Sequence, residues 1–339
     1  MTSSNLPGLI EQLTQAAVYP HPVESVRLVQ THISYVLIAG DFVYKIKKPV
    51  NFGFLDFTTL DKRRFFCQEE LRLNQRLCPT IYLDVLGLRQ KGGAVTFSTD
   101  LAGAEELAVR MARMPEERLM PHIIRDQRLT AAMLDDIVRI LVPFYQQADG
   151  GERIQGFGTA SAVAVNVLEN FEQTAGFVGC AALSQARFDT IGAYARGVLA
   201  QEAFFTERIA AGRIRDGHGD LYSANICLAD TIHIFDCIEF NERFRFCDVA
   251  SDVAFLAMDL DFHGLDTLSR HFVTRFAAAS ADDGLAARLN FYKCYRAYVR
   301  GKIGLFTANA PEVDETTRTR SLAQAADYFA LAERYAREG

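Results

Sequence analysis

From about residue 25 to 114, apolar and polar positions alternate in short runs. SVRLVQ, SYVLIAG and DFVYKIKK read as β-strands, with Gly40-Asp41 as a tight turn between the second and third. A helical period takes over at about 59–77 (TLDKRRFFCQEELRLNQRL), and IYLDVLGLRQ, AVTFST and ELAVRMARM return to strand character. The pattern predicts a small, mostly antiparallel sheet with one inserted helix. Beyond Met114-Pro115 a 3.6-residue period dominates, near 129–147, 160–175, 184–211, 248–261, 265–280, 284–306 and 317–336. Only NICLA and TIHIFD, two short apolar runs around Asp230, interrupt it, as a hairpin embedded in the helical half. The expected fold is α+β: one domain over 1–339, with a sheet lobe at 20–114 and a helical lobe at 115–339.

Composition narrows the function classes. With 49% apolar and 23% charged residues, the chain has ample material for cores, and disorder is not expected. Its 36 basic against 42 acidic residues give a net charge of −6, without the basic excess of a protein that grips nucleic-acid phosphates. The seven cysteines are scattered and odd in number, so neither a disulfide framework nor a zinc site is indicated. No basic leader and no long uncharged apolar run is present, so a cytoplasmic protein without a membrane segment is expected.

The chemistry concentrates in RDGHGDLYSANICLADTIHIFD, where His218, Asp220, Asn225 and Asp236 fall within nineteen positions. A hairpin would return Asp236 beside Asn225, and an acid with an amide suits Mg²⁺, which takes oxygen ligands and keeps waters and substrate phosphates in its shell. Asp220 would then be placed to accept a proton from an attacking hydroxyl.

HxDxxxxN followed by an apolar-apolar-Asp run resembles the catalytic and metal loops of the protein-kinase-like fold. The form HGD is most similar to the aminoglycoside phosphotransferase group, which includes choline kinases. VYKIKKPVNFGFLDF, EELRLNQRL and RDGHGDLYSANI together resemble an uncharacterised bacterial branch of that group. The resemblance implies a two-lobed kinase-like fold, ATP or GTP with Mg²⁺ as cofactors, Asp220 as base or hydroxyl-orienting group, Asn225 and Asp236 as metal ligands, and His218 as support of the loop. Some members of that branch carry a P-loop kinase domain. GxxxxGK[ST] does not occur here, so a separate P-loop kinase is an implied partner.

DFVYKIKK resembles the third strand of that fold, whose lysine meets the nucleotide phosphates. Alternation puts Val43, Lys45 and Lys47 on one face, so Val43 covers the adenine and Lys45 reaches the phosphates, with Lys47 second in line. The lysine needs a glutamate from the inserted helix. Phe66, Glu70, Leu73 and Leu77 share one face, so Glu70 points inward and Glu69 outward. The first strand-to-strand turn, QTHISYV, lacks the glycines of a protein-kinase phosphate loop. Ser34 is the implied phosphate contact there, with a simple turn serine as the other reading. Backbone around Ala112 to Met114 is expected to meet the adenine. Asp252 is implied to brace the catalytic loop and Asp248 to cap a helix, while Glu239 reads equally as near the metal or on the surface.

Fifteen residues separate Asp236 from Asp252, too few for the activation segment of a regulated protein kinase, and a small hydroxylated acceptor is favoured. A protein kinase and a nucleotide-binding module without turnover are the alternatives. Asp259, Asp261, Asp266, Asp282 and Asp283 would suit a cationic acceptor if they line the site, and otherwise are solvated helix ends.

Overall fold

The computed structural model describes residues 7–91, 94–311 and 313–339. The chain divides into two compact units, one running to Leu119 and rejoined by Ile226–Glu242, the other comprising Met120–Asn225 and Arg243–Gly339.

The first unit is built on a six-stranded antiparallel sheet: β1 (Val26–Gln30), β2 (Ser34–Ala39), β3 (Phe42–Lys47), β4 (Tyr82–Lys91), β5 (Ala94–Ser98) and β6 (Glu106–Ala112), in the order β1-β2-β3-β6-β4-β5. The β2–β3 turn is the two residues Gly40-Asp41, with Ala39 paired to Phe42. Gly40 adopts φ +59°, and a Cβ there would stand 2.8 Å from the Pro22 carbonyl, so glycine is required. Alternation along β3 sends Tyr44 and Ile46 to one face, where they pack with Leu37, Leu88 and Ile10 and Leu13 of α1 (Gly8–Leu13). The periodic pattern does not announce α1, because six residues offer less than two turns.

The other face carries α2 (Leu60–Asn74), capped by Thr59, whose hydroxyl accepts the Lys62 N–H. Here Cys67, Tyr82, Val85, Leu107, Val109 and Met111 form a second core, joined by Val43, Ala112, Met114 and Phe235.

The second unit is helical: α3 (Met120–Arg125), α4 (Ala131–Gln147), α5 (Glu152–Gln155), α6 (Ala160–Thr174), α7 (Gln185–Leu199), α8 (Glu202–Ala210), α9 (Glu242–Arg245) at the chain crossing, α10 (Val249–Phe262), α11 (Asp266–Ser280), α12 (Ala286–Ala308) and α13 (Glu315–Glu338). Side-chain caps from Thr130, Thr159, Ser184, Asp248 and Asp314 begin five of them. A short pair, β7 (Ile214–Asp216) with β10 (Phe246–Asp248), precedes the HGD loop and α10 respectively. Among the described residues, no helix is long and apolar enough to cross a membrane.

Two sequence expectations change. The stretch 184–211 is two helices, broken at Ala200-Gln201, because Gln201 leaves helical geometry (ψ 85°) while the apolar period runs on through Val198 and Phe205. The hairpin, β8 (Ile226–Leu228) with β9 (Ile232–Ile234), groups with the sheet unit rather than the helical one. Its tail is bound there: the Cys237 N–H donates to Asn74 Oδ1 at 2.9 Å, and Asn241 donates to the Phe54 carbonyl at 2.8 Å.

A buried ion triad secures α8 within the helical unit. Arg208, Asp248 and Asp282 are 3%, 2% and 3% exposed. The guanidinium donates to Asp248 at 2.8 and 2.9 Å and to Asp282 Oδ2 at 2.8 Å. Arg208→Met would leave buried Asp248 without a cation and Asp282 with only the longer 3.8 Å contact to Arg213, and urea denaturation is expected to show a loss of about 3–5 kcal/mol.

Candidate functional site

In the sheet unit, the phase of β3 places Lys45 and Lys47 on the α2 side, and the phase of α2 turns Glu70 toward them. Lys45 Nζ lies 2.8 Å from Glu70 Oε1 and 2.6 Å from Asp236 Oδ1. Lys47 Nζ lies 2.6 Å from the other Glu70 oxygen and is also paired with Glu239. Two lysines and three carboxylates thus share one cluster. Glu70 is fully buried and Lys47 is 1% exposed, whereas the Asp236 side chain is 44% exposed.

Burial by itself would depress the Lys45 ammonium, but Asp236 and Glu70 reverse this and hold its pKa well above the ordinary lysine value. Lys47 is held up in the same way, against burial, by Glu239 and Glu70. Burial would raise Glu70, yet Lys45 and Lys47 keep its carboxyl below the usual range. Glu239, with burial opposed by Lys47, stands above it.

The helical phase therefore selects the glutamate that spacing indicated. Glu69 is half-buried rather than exposed and accepts two bonds from Arg72 at 2.9 and 2.7 Å. The Lys47–Glu239 pair was not legible in the sequence beyond the alternation that ranked Lys47 second. Asp236 takes φ +61°, a left-handed conformation unusual for aspartate, just before the Cys237 amide is tied to α2 through Asn74. Asn74 in turn donates to the Glu70 carbonyl at 2.8 Å, so the segment bearing Asp236 and the glutamate are tied through one amide side chain.

Val43, Ala112 and Met114 are half-buried against the α2-side core. The Ala112 and Arg113 amides are taken by the Ile81 and Asp41 carbonyls at 2.8 Å each, which leaves the Met114 amide without a partner among the described residues. Ser34 departs from expectation. Its side chain is fully enclosed at the start of β2, where the Thr31 hydroxyl accepts its amide at 2.9 Å, and its own Oγ has no partner. A hydroxyl sealed in this way is not presented to a phosphate.

In the helical unit, the HGD loop follows β7 and is held from beneath by Asp252. This buried carboxylate accepts the His218 and Gly219 amides at 2.8 and 3.0 Å and the Tyr145 hydroxyl at 3.0 Å. Arg296 donates to the Gly219 carbonyl at 2.9 Å. Gly219 has φ +83°, a left-handed conformation that favours glycine at this position of the loop. His218 is fully buried, and its Nδ1 accepts the Asp220 amide at 3.2 Å. Asp220 is half-buried. The Asn225 amide nitrogen donates to its carbonyl at 2.9 Å and to its carboxylate at 3.0 Å. Asp248 caps α10 by accepting the Ala250 N–H at 2.9 Å.

No family model matches the chain. Over 298 residues it is 32% identical to uncharacterised proteins of Mycobacterium tuberculosis and Mycobacterium bovis, an alignment covering 86% of this chain and 58% of those proteins. The chain thus spans little more than half the length of these relatives. Among solved structures, a choline/ethanolamine kinase family protein of Mesorhizobium loti superposes with TM-score 0.53 at 13% identity, covering 97% of this chain and 99% of that one. A microcompartment-associated aminopropanol kinase gives TM-score 0.54 at 15% identity, covering 97% of each chain. An amicoumacin kinase in complex with AMP-PNP and Ca²⁺ gives 0.52 at 12%, covering 94% and 93%. The chain has the α+β, protein-kinase-like fold shared by the aminoglycoside phosphotransferase and choline kinase group.

Proposed function

We propose that the protein is a Mg²⁺-dependent phosphotransferase that moves the γ-phosphate of ATP or GTP to a hydroxyl of a small molecule. The observation that carries this reading is Lys45, fixed by a buried glutamate of α2 and by the partly exposed Asp236. An ammonium shared in this way can be taken over by nucleotide phosphates without leaving Glu70 unpaired, because Lys47 still neutralises it.

Asn225 and Asp236 supply an amide oxygen and a carboxylate, the hard donors that suit Mg²⁺ with waters and phosphates completing its shell. When bound, the metal would neutralise charge on the phosphates. Lys45 orients the phosphates, and Asp220 accepts the proton of the acceptor hydroxyl as that oxygen bonds to the γ-phosphorus. The bond from the γ-phosphorus to the bridging oxygen breaks, and the electron pair leaves with the nucleoside diphosphate. Asp252 and Arg296 keep the loop rigid, so Asp220 is positioned before substrate arrives. Fifteen residues from Asp236 to Asp252, which hold α9, β10 and the first residues of α10, leave no room for a long activation segment, which favours a small acceptor over a protein.

Asp220→Asn is expected to keep nucleotide affinity within a few fold and to lower phosphoryl transfer by about a hundredfold or more, read as product formation against calorimetric binding. Nucleotide is expected to bind at least about tenfold more weakly in EDTA than with Mg²⁺, and equal affinity in calorimetry would remove Asn225 and Asp236 as ligands. The two lysines should separate. Lys45→Met weakens nucleotide binding while Lys47 still pairs Glu70, whereas Lys47→Met leaves Glu70 and Glu239 with one cation and costs about 3–5 kcal/mol of stability. Thermal and urea melts of the two variants check the order.

A further inference from the structure

The acidic residues that would suit a cationic acceptor are largely engaged within the helical unit. Asp259 accepts the Ser223 amide at 3.0 Å, Asp261 holds Lys293 at 2.8 Å, Asp266 lies 3.5 Å from Arg334, and Asp282 belongs to the Arg208 triad. Two arginines of this unit, Arg300 and Arg320, have no carboxylate partner among the described residues.

Arg300, on α12, stacks its guanidinium over the rings of Tyr222 and Tyr328, 4.8 and 5.6 Å from their centroids. Its Nε is buried without a hydrogen-bond partner, and among the described residues no carboxylate lies within ion-pairing distance of it. Burial would lower its pKa, but Tyr222, Tyr328 and Asp220 hold it above the ordinary value, so it remains a cation. Arg300 is half-buried, and a guanidinium drawn partly out of water without a carboxylate partner favours an anion that comes to it.

Arg300 opens on a cavity of about 620 Å³, in the size range of small-molecule sites. Its walls are one stripe of α12 (Arg300, Gly304, Thr307) and one of α13 (Thr317, Arg320, Gln324), each spaced by three or four residues. Arg320 is a second cation with no carboxylate partner among the described residues, and the one acid of the lining, Asp327, is exposed at the rim. Tyr222, under Arg300, sits two residues after Asp220, and the electrostatic influence of Asp220 reaches Arg300.

We propose that this cavity is the acceptor site and that it selects a small hydroxylated molecule bearing an anionic group, a carboxylate or a phosphate monoester, held by Arg300 and Arg320. The inference deepens the phosphotransferase reading and rests on it for the word acceptor. The anion claim stands on the arginines alone. Arg300 and Arg320 act in binding, while Asp220 remains the group that meets the reacting hydroxyl.

The test is calorimetric titration of the full chain with D-glycerate and glycerol 3-phosphate, and with glycerol and ethanolamine as neutral and cationic counterparts. At least one anion is expected to bind about tenfold or more tightly than glycerol and ethanolamine, and comparison of the two anions tells carboxylate from phosphate. Arg320→Gln, at an exposed position, should weaken that anion about tenfold with an unchanged melting temperature, and Arg300→Lys should weaken it as well. The proposal is overturned by equal or tighter binding of glycerol or ethanolamine, by no binding of either anion at millimolar concentration, or by anion affinity unchanged in both variants. Binding is read without turnover, so the two readings fail separately. A chain that binds the anion through these arginines yet transfers no phosphate from MgATP loses the phosphotransferase reading alone, and one that phosphorylates ethanolamine without binding the anions loses the acceptor assignment alone.

Discussion

A carboxylate buried without compensation would open the sheet unit to water, and Glu70, fully enclosed there, needs that compensation. Its full enclosure is offset by two ammonium groups that meet its two oxygens, Lys45 on one and Lys47 on the other. Much else follows from that requirement. The strand β3 must present alternate lysines to α2, α2 must keep the phase that turns Glu70 inward, and the tail of the β8–β9 hairpin must bring Glu239 to Lys47 and Asp236 to Lys45. The backbone strain at Asp236 sits where this network needs a carboxylate aimed at a particular cation.

The helical unit solves a different problem with the same economy of charge. The HGD loop has few backbone bonds of its own, and one buried carboxylate, Asp252, supplies acceptors for two successive amides while Arg296 meets the carbonyl of Gly219. The loop is thus organised from α10 and α12, helices that belong to the core. His218 adds a third constraint by accepting the amide of Asp220, the residue whose direction matters. A fold shared with small-molecule kinases says nothing by itself about the acceptor, and the acceptor question turns on the charges left over once such internal pairs are counted. Among the cations without a carboxylate partner, Arg300 and Arg320 line one cavity of α12 and α13.

Much was legible in the sequence because its signals are local. Period-2 runs marked the strands and the period-3.6 runs marked the long helices, with errors where a signal was too short, as in α1 and α3, or continuous through a break, as between α7 and α8. Helical phase chose Glu70 over Glu69, since the side of a helix that faces a sheet depends on spacing alone. The HGD loop, Asn225 and the aspartate after the hairpin stood out because polar residues of those types seldom cluster in an apolar stretch.

Which charges meet is set by packing in three dimensions. Lys47 and Glu239 are 192 positions apart, Arg208 and Asp282 74, and Arg296 and Gly219 77, and no periodicity connects such pairs. Burial likewise encloses the Ser34 side chain, and pairing engages acidic residues that in sequence looked available for a cation. The sequence by itself determined the elements and their inward faces, because these depend on residues three or four positions apart. The state of each charged group was settled by its neighbours in space, because desolvation and Coulomb interaction act over distance and not along the chain.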